Sequence, residues 1–141
     1  MARRIALISD HASPLAGAGG VDSGGQNVYV DQVARKMADR GCVVDIFTRR
    51  DSEKPPDIVA YHPGVRVIHV PAGPPAHIEK ERLLPFMDSF ASYMASFFSG
   101  NGTYDIIHAH FFMSGLVAAH LKERFGIPFL MTFHALGRIR R

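Results

Sequence analysis

A short apolar run, Ile5-Ala6-Leu7-Ile8-Ser9, empties into the loop Ala16-Gly17-Ala18-Gly19-Gly20-Val21-Asp22-Ser23-Gly24-Gly25, and that loop opens onto an amphipathic segment from Gln26 to Arg40. Strand, glycine-rich loop and helix in that order make the opening unit of an α/β domain that holds phosphate. Glycine lets the backbone approach a ligand without interference from Cβ. The start of the helix offers unpaired N–H groups and the positive end of a dipole. The spacing fits neither common nucleotide motif. Asp22 stands where a dinucleotide fingerprint needs its third glycine, and no lysine follows the glycines as a P-loop requires. Gly24 and Gly25, abutting the helix, therefore carry the specific role, and Gly17 to Gly20 read as a mobile flap.

The rest of the chain alternates strand and helix. Val30, Val33, Ala34, Met37 and Ala38 share one face of the first helix, and Gly41 caps its end. Val43 to Thr48 is a second strand. Asp51 to Gly64, with Pro55, Pro56 and Pro63, reads as loop. Val65 to Val70 is a third strand, ended by Pro71-Ala72-Gly73-Pro74-Pro75. Phe86, Phe90, Tyr93, Met94 and Phe97 make an apolar stripe on a helix from about Lys80 to Phe98, and Pro85 belongs near its start or marks a kink. Ser99 to Gly102 is a turn and Tyr104 to Ala109 a fourth strand. Met113 to Arg124 is a helix with Leu116, Val117 and Leu121 inward, closed by Gly126. Pro128 to Thr132 is a fifth strand. The expected fold class is α/β, a Rossmann-like, doubly wound parallel sheet. His134-Ala135-Leu136-Gly137 follows the fifth strand with no covering helix after it, as in a piece of a longer protein.

Composition limits the function. At 141 residues and 47% apolar, the chain has the size and hydrophobicity of one globular domain. No uninterrupted apolar stretch approaches the ~20 residues of a membrane span. Asp10 and His11 break the first apolar run too early for a signal peptide. Cys42, the single cysteine, excludes an intrachain disulfide and a cysteine-cluster zinc site, and fits a cytoplasmic, reducing compartment. The net charge is +3, with Arg138, Arg140 and Arg141 crowded at the end. Nucleic-acid binding wants a basic face interleaved with aromatic rings, whereas the rings here have the spacing of a helix core.

Ligands of open α/β sheets bind beyond the carboxyl ends of the strands. Those ends carry Asp10, His11 and the glycine loop; Pro71, Gly73 and the segment to Lys80; His110; and His134. His108 and His110, two apart, face the same side of a strand. That spacing can serve a metal, but no cysteine or carboxylate nearby completes a site, so no metal is expected. His134 has the position to donate a hydrogen bond to a hydroxyl or phosphate. Lys80 has the charge to meet an anion, between Glu79 and Glu81.

These residues also carry a resemblance. Asp22-Ser23-Gly24-Gly25-Gln26-Asn27-Val28-Tyr29-Val30 resembles the N-terminal signature of family 4 retaining glycosyltransferases. The match continues through Val70-Pro71-Ala72-Gly73-Pro74, Leu84-Pro85-Phe86-Met87-Asp88, His108-Ala109-His110-Phe111 and Thr132-Phe133-His134-Ala135-Leu136-Gly137. The resemblance implies that residues 1–141 are the N-terminal, acceptor-side half of a GT-B fold, with the C-terminal donor-binding domain absent. It implies sugar transfer with retention from a nucleotide sugar, UDP-linked, as co-substrate, to a small and possibly phosphorylated acceptor, with no metal or other cofactor. Gly24 and Gly25 would face the donor diphosphate, and His134 would be the catalytic residue beside the donor sugar. Gln26, Asn27, Lys80, Tyr104, His110 and Arg138 would bind the acceptor. Lys80 and Tyr104 match positions that take the acceptor phosphate in the mycothiol-pathway members, while Ala135 replaces a threonine used there. The fragment alone is expected to be inactive. The alternative is a stand-alone module that binds a sugar phosphate or nucleotide without chemistry.

Overall fold

The computed structural model describes residues 2–11 and 25–132, without the side chains of residues 25–27. Gly24, His134, Arg138 and the proposed Gly17–Gly20 flap therefore lie outside the described residues, as do the side chains of Gln26 and Asn27. The elements are β1 (Arg4–Ser9), α1 (Gly25–Asp39), β2 (Val43–Arg49), β3 (Ile58–His62), β4 (Val65–Val70), α2 (Met87–Asn101), β5 (Ile106–His110), α3 (Phe112–Phe125) and β6 (Phe129–Thr132). They build one sheet in the order β3-β4-β2-β1-β5-β6. Every pairing is parallel except β3 with β4.

The side-chain period of two divides the apolar strands between two cores. Ile5, Leu7, Val44, Ile46, Val65 and Val67 face Val30 and Ala34 of α1. Ala6, Ile8, Phe47 and Ile68 face the other way, against Phe90, Met94 and Phe98 of α2 and Val117 and Leu121 of α3. Both faces of the sheet are thus covered, which is what the near-continuous apolar strands require. Phe47 is the centre of the larger core, its ring 5.4 Å from Phe97, 6.2 Å from Phe98 and 5.8 Å from Tyr104. Gly115 lets α3 close on β6, because a Cβ there would sit 2.5 Å from Met131 Sδ.

Several expectations need correction. The Asp51–Gly64 segment is not all loop, since β3 forms an edge hairpin with β4 and makes the sheet mixed, with a sixth strand. Its residues are half-exposed, so they lack the apolar signature of the inner strands, and the prolines around them mask it further. The helix expected from Lys80 is two 3-10 turns, Lys80–Arg82 and Leu84–Phe86, followed by α2. Pro85 explains the break: it supplies no N–H and restricts the residue before it. α2 runs through the expected turn to Asn101, and β5 begins at Ile106 rather than Tyr104. Leu116 is 51% exposed rather than inward. Gly41 and Gly126 do end their helices with positive φ.

Outside the sheet, α1 and β3 are tied by a polar cluster. Asp31 accepts hydrogen bonds from the Tyr61 hydroxyl and, at 2.7 Å, from Arg35 Nε. Burial pushes the Asp31 carboxyl up, but the bonds from Tyr61 and Arg35 outweigh it, so Asp31 titrates below the usual carboxylate value. A carboxylate depressed in the fold stabilises it above the unfolded pKa of about 3.9, and that stability is lost as pH falls through the folded value. Asp31→Asn should therefore cost about 1 kcal/mol at neutral pH and progressively less below about pH 4. Urea unfolding across pH checks this, and a difference from wild type that stays constant into acid contradicts it.

Candidate active site at the carboxyl rim

Because five strands run parallel, their carboxyl ends converge on one rim. β1 ends there in Asp10 and His11, β2 in Arg49, β4 in the strap from Pro71 to Glu79, β5 in His110 and Phe111, and β6 in Thr132. The Tyr29 ring of α1 lies 5.7 Å from the His110 ring, so the start of α1 reaches the same rim.

Asp10 is fully buried. The Ser114 hydroxyl donates to its Oδ1, and the Asp10 N–H donates back to Ser114 Oγ at 3.2 Å. Its other oxygen lies 3.2 Å from His11 Nδ1. A carboxylate oxygen there suits Nδ1 as the donor of this contact. His11 stands edge-on to Phe111, with centroids 4.9 Å apart.

Phe111 holds φ +80 and ψ 152 between β5 and α3. That conformation is close to glycine-only and costs of order 1–3 kcal/mol. It is held by a hydrogen bond from its N–H to the Thr132 carbonyl, 2.9 Å. Lys80 Nζ lies 5.8 Å from the centroid of the Phe111 ring, within range of a cation–π attraction. Lys80, Glu81, Leu84, Phe111, Phe112 and Met113 line a cavity of about 290 Å³. Glu79 pairs with His77 at 3.7 Å, and among the described residues Lys80 has no ion-pair partner. A cation over an apolar cleft at this rim can bind an anionic group of a small molecule.

The candidates from sequence are not all brought together. Lys80 and His110 lie on the rim, though His110 is fully buried beneath it, its ring 4.2 Å from that of His108. His108 Nε2 is 2.8 Å from Thr132 Oγ1. Tyr104 stands at the opposite, amino-terminal end of β5. Its hydroxyl donates to Asp45 Oδ2 at 2.5 Å, and Arg66 holds Asp45 with two bonds of 2.8 and 2.7 Å. Burial, and then Asp45, push the Tyr104 phenol well above its usual value. The ring that meets Lys80 is that of Phe111. Sequence reading missed this role, although Phe111 directly follows His110 in the same block. Nor was Arg49 among the sequence candidates. Among the described residues no group of three or more histidine, cysteine or acidic side chains is placed to hold a metal.

Residues 24–141 match the glycosyl transferase 4-like domain. The chain belongs to that glycosyltransferase family. It is 42% identical over 139 residues to the D-inositol 3-phosphate glycosyltransferase of Thermobispora bispora, covering 97% of this chain and 32% of that protein. It is 44% identical over 137 residues to D-inositol 3-phosphate glycosyltransferase 1 of Catenulispora acidiphila, with 97% and 32% covered. Among solved structures it resembles the sucrose-phosphate synthase of Thermosynechococcus elongatus, with a TM-score of 0.91 and 36% identity over 98% of this chain and 34% of that one. The glycosyltransferase domain thus spans about a third of the length of the relatives it matches. Its sheet is that of the Rossmann-like N-terminal half of a GT-B fold. No described helix is long and apolar enough to cross a membrane.

Proposed function

We propose that this domain is the acceptor-side half of a retaining, metal-independent glycosyltransferase of the cytoplasm that moves a sugar from a nucleotide sugar, UDP-linked, to a small phosphorylated acceptor. The observation that carries the proposal is Lys80, held over Phe111 at the mouth of a cleft on the ligand-binding rim. The names of the inositol phosphate relatives, at about two-fifths identity, support a phosphorylated acceptor. Lys80 takes the phosphate as a charge-assisted partner, and Phe111 and Met113 exclude water from that contact. The N–H groups at the start of α1, with Gly24 and Gly25, face the donor diphosphate and stabilise the charge that builds on it as the sugar leaves. By the family resemblance, His134 acts on the donor sugar, and Gln26, Asn27 and Arg138 serve the acceptor. The donor nucleotide is held by a second domain in the remaining two-thirds of the protein.

Calorimetry on the 141-residue chain tests this division of labour. D-inositol 3-phosphate should bind to the isolated chain, whereas a nucleotide sugar should not, and no sugar should be transferred. Transfer by the isolated chain overturns the division. Tight binding of the nucleotide moiety favours instead a module that binds without catalysis.

A further inference from the structure

Arg49 ends β2 with its side chain turned into the protein, and the residue is only 5% exposed. Among the described residues no carboxylate is in contact with it, and Asp51 acts on it only from a distance. Instead Nε donates to the Ala72 carbonyl at 2.6 Å, Nη1 to the Ala76 carbonyl at 3.0 Å, and Nη2 to the Pro74 carbonyl. One guanidinium therefore caps three carbonyls of the strap between β4 and Lys80. Burial pulls the Arg49 guanidinium down from its usual value, but the planar fork of donors suits this task in a way that a lysine ammonium does not. The Arg49 N–H also donates to the Asp10 carbonyl, 3.2 Å. The same residue thus joins the Asp10-His11 end of β1 to the strap.

The strap is pinned from its other side as well. Gly73 has φ +78, and a Cβ added there would lie 2.8 Å from the Phe86 ring. Two prolines follow Gly73, so the strap between these anchors has little freedom of its own. A few residues on, it turns into the 3-10 turn that carries Lys80.

We propose that Arg49 is the positioning residue of the acceptor site: by capping the strap carbonyls it sets where Lys80 stands over Phe111, and so sets affinity for the acceptor phosphate without touching it. This rests on the acceptor role of Lys80 given above. The test has two readouts on the full chain. In the first, lysines are reductively methylated with ¹³C, and the Lys80 signal, assigned by its absence in Lys80→Ala, is displaced in wild type by the Phe111 ring. Arg49→Met and Gly73→Ala should both return it to the position of an unconstrained dimethyl-lysine. In the second, affinity for D-inositol 3-phosphate should fall about tenfold in Arg49→Met, and the double variant should bind no more weakly than Lys80→Ala alone. Arg49→Lys, with one ammonium in place of the fork, should recover only part of the affinity. An unmoved Lys80 signal in both variants overturns the proposal, as does a loss in Arg49→Met that adds in full to that of Lys80→Ala. If Arg49→Met does not fold, Gly73→Ala decides by the same two readouts. If wild type binds no inositol phosphate, the acceptor role of Lys80 fails, and the methyl signal alone decides whether Arg49 places the lysine.

Discussion

Phe47→Ala should lose about 3–5 kcal/mol of stability, the range for removing a buried aromatic side chain. Phe47 has no solvent exposure, and its ring is met by Phe97, Phe98 and Tyr104 within 5.4–6.2 Å. It lies on β2, between β1 and β4, where the backbone is held on both sides by ladder hydrogen bonds. The neighbours therefore cannot collapse far into the space left behind, and the cavity adds to the lost transfer free energy. A domain of this size has roughly 5–15 kcal/mol in total, so the variant stands near the edge of folding. Urea unfolding followed by circular dichroism measures the effect. Phe47→Leu, which keeps most of the volume, should cost far less. A loss below about 1 kcal/mol for the alanine variant would mean that the core repacks around the gap.

Lys80→Ala should weaken binding of a phosphorylated acceptor about 10- to 100-fold, the equivalent of one charge-assisted contact. Stability should change little, because Lys80 is half-exposed and lies on a short 3-10 turn with no buried residue. In the full-length enzyme the loss should appear in the acceptor KM, with the donor KM unchanged. Lys80→Arg should retain much of the affinity. Raised salt should weaken wild-type binding and leave the residual binding of Lys80→Ala almost unaffected. Equal affinity in wild type and Lys80→Ala removes this lysine from the site.

The inner strands were legible because burial on both faces leaves them apolar without interruption, as in Ile5–Ile8. β3 was not, because an edge strand needs only one partner and shows half-exposed residues such as Ile58 and Tyr61 amid prolines. The Lys80–Phe98 helix was drawn too early for a different reason. The apolar stripe is real from Phe90 onward, but Pro85 diverts the preceding residues into 3-10 turns. In the site, Lys80 was legible from its charge and its place beyond a strand. The positions of Tyr104 and Phe111 were less legible. Tyr104 precedes β5, at the end opposite the rim, and Phe111 follows it, so their partners Asp45 and Lys80 are set by which elements pack at each end of the sheet.

By itself the sequence determined the class of the fold, the faces of its inner strands and most helix positions, and the rim where the parallel strands end. Those follow from local periodicity and from the parallel connection of strands through helices, and neither needs knowledge of distant contacts. The tertiary structure decided which residues on that rim meet. Arg49 and Ala76 are 27 positions apart and Asp10 and Ser114 are 104 apart, and Lys80 meets Phe111 across two separate connections. No local pattern encodes such pairs. They arise because the sheet packs β1, β2 and β4 side by side, and because a buried guanidinium and a buried carboxylate must find partners wherever the packed chain supplies them. The cleft at Lys80 lies where a strained phenylalanine and a strap capped by an arginine come together only in the folded chain.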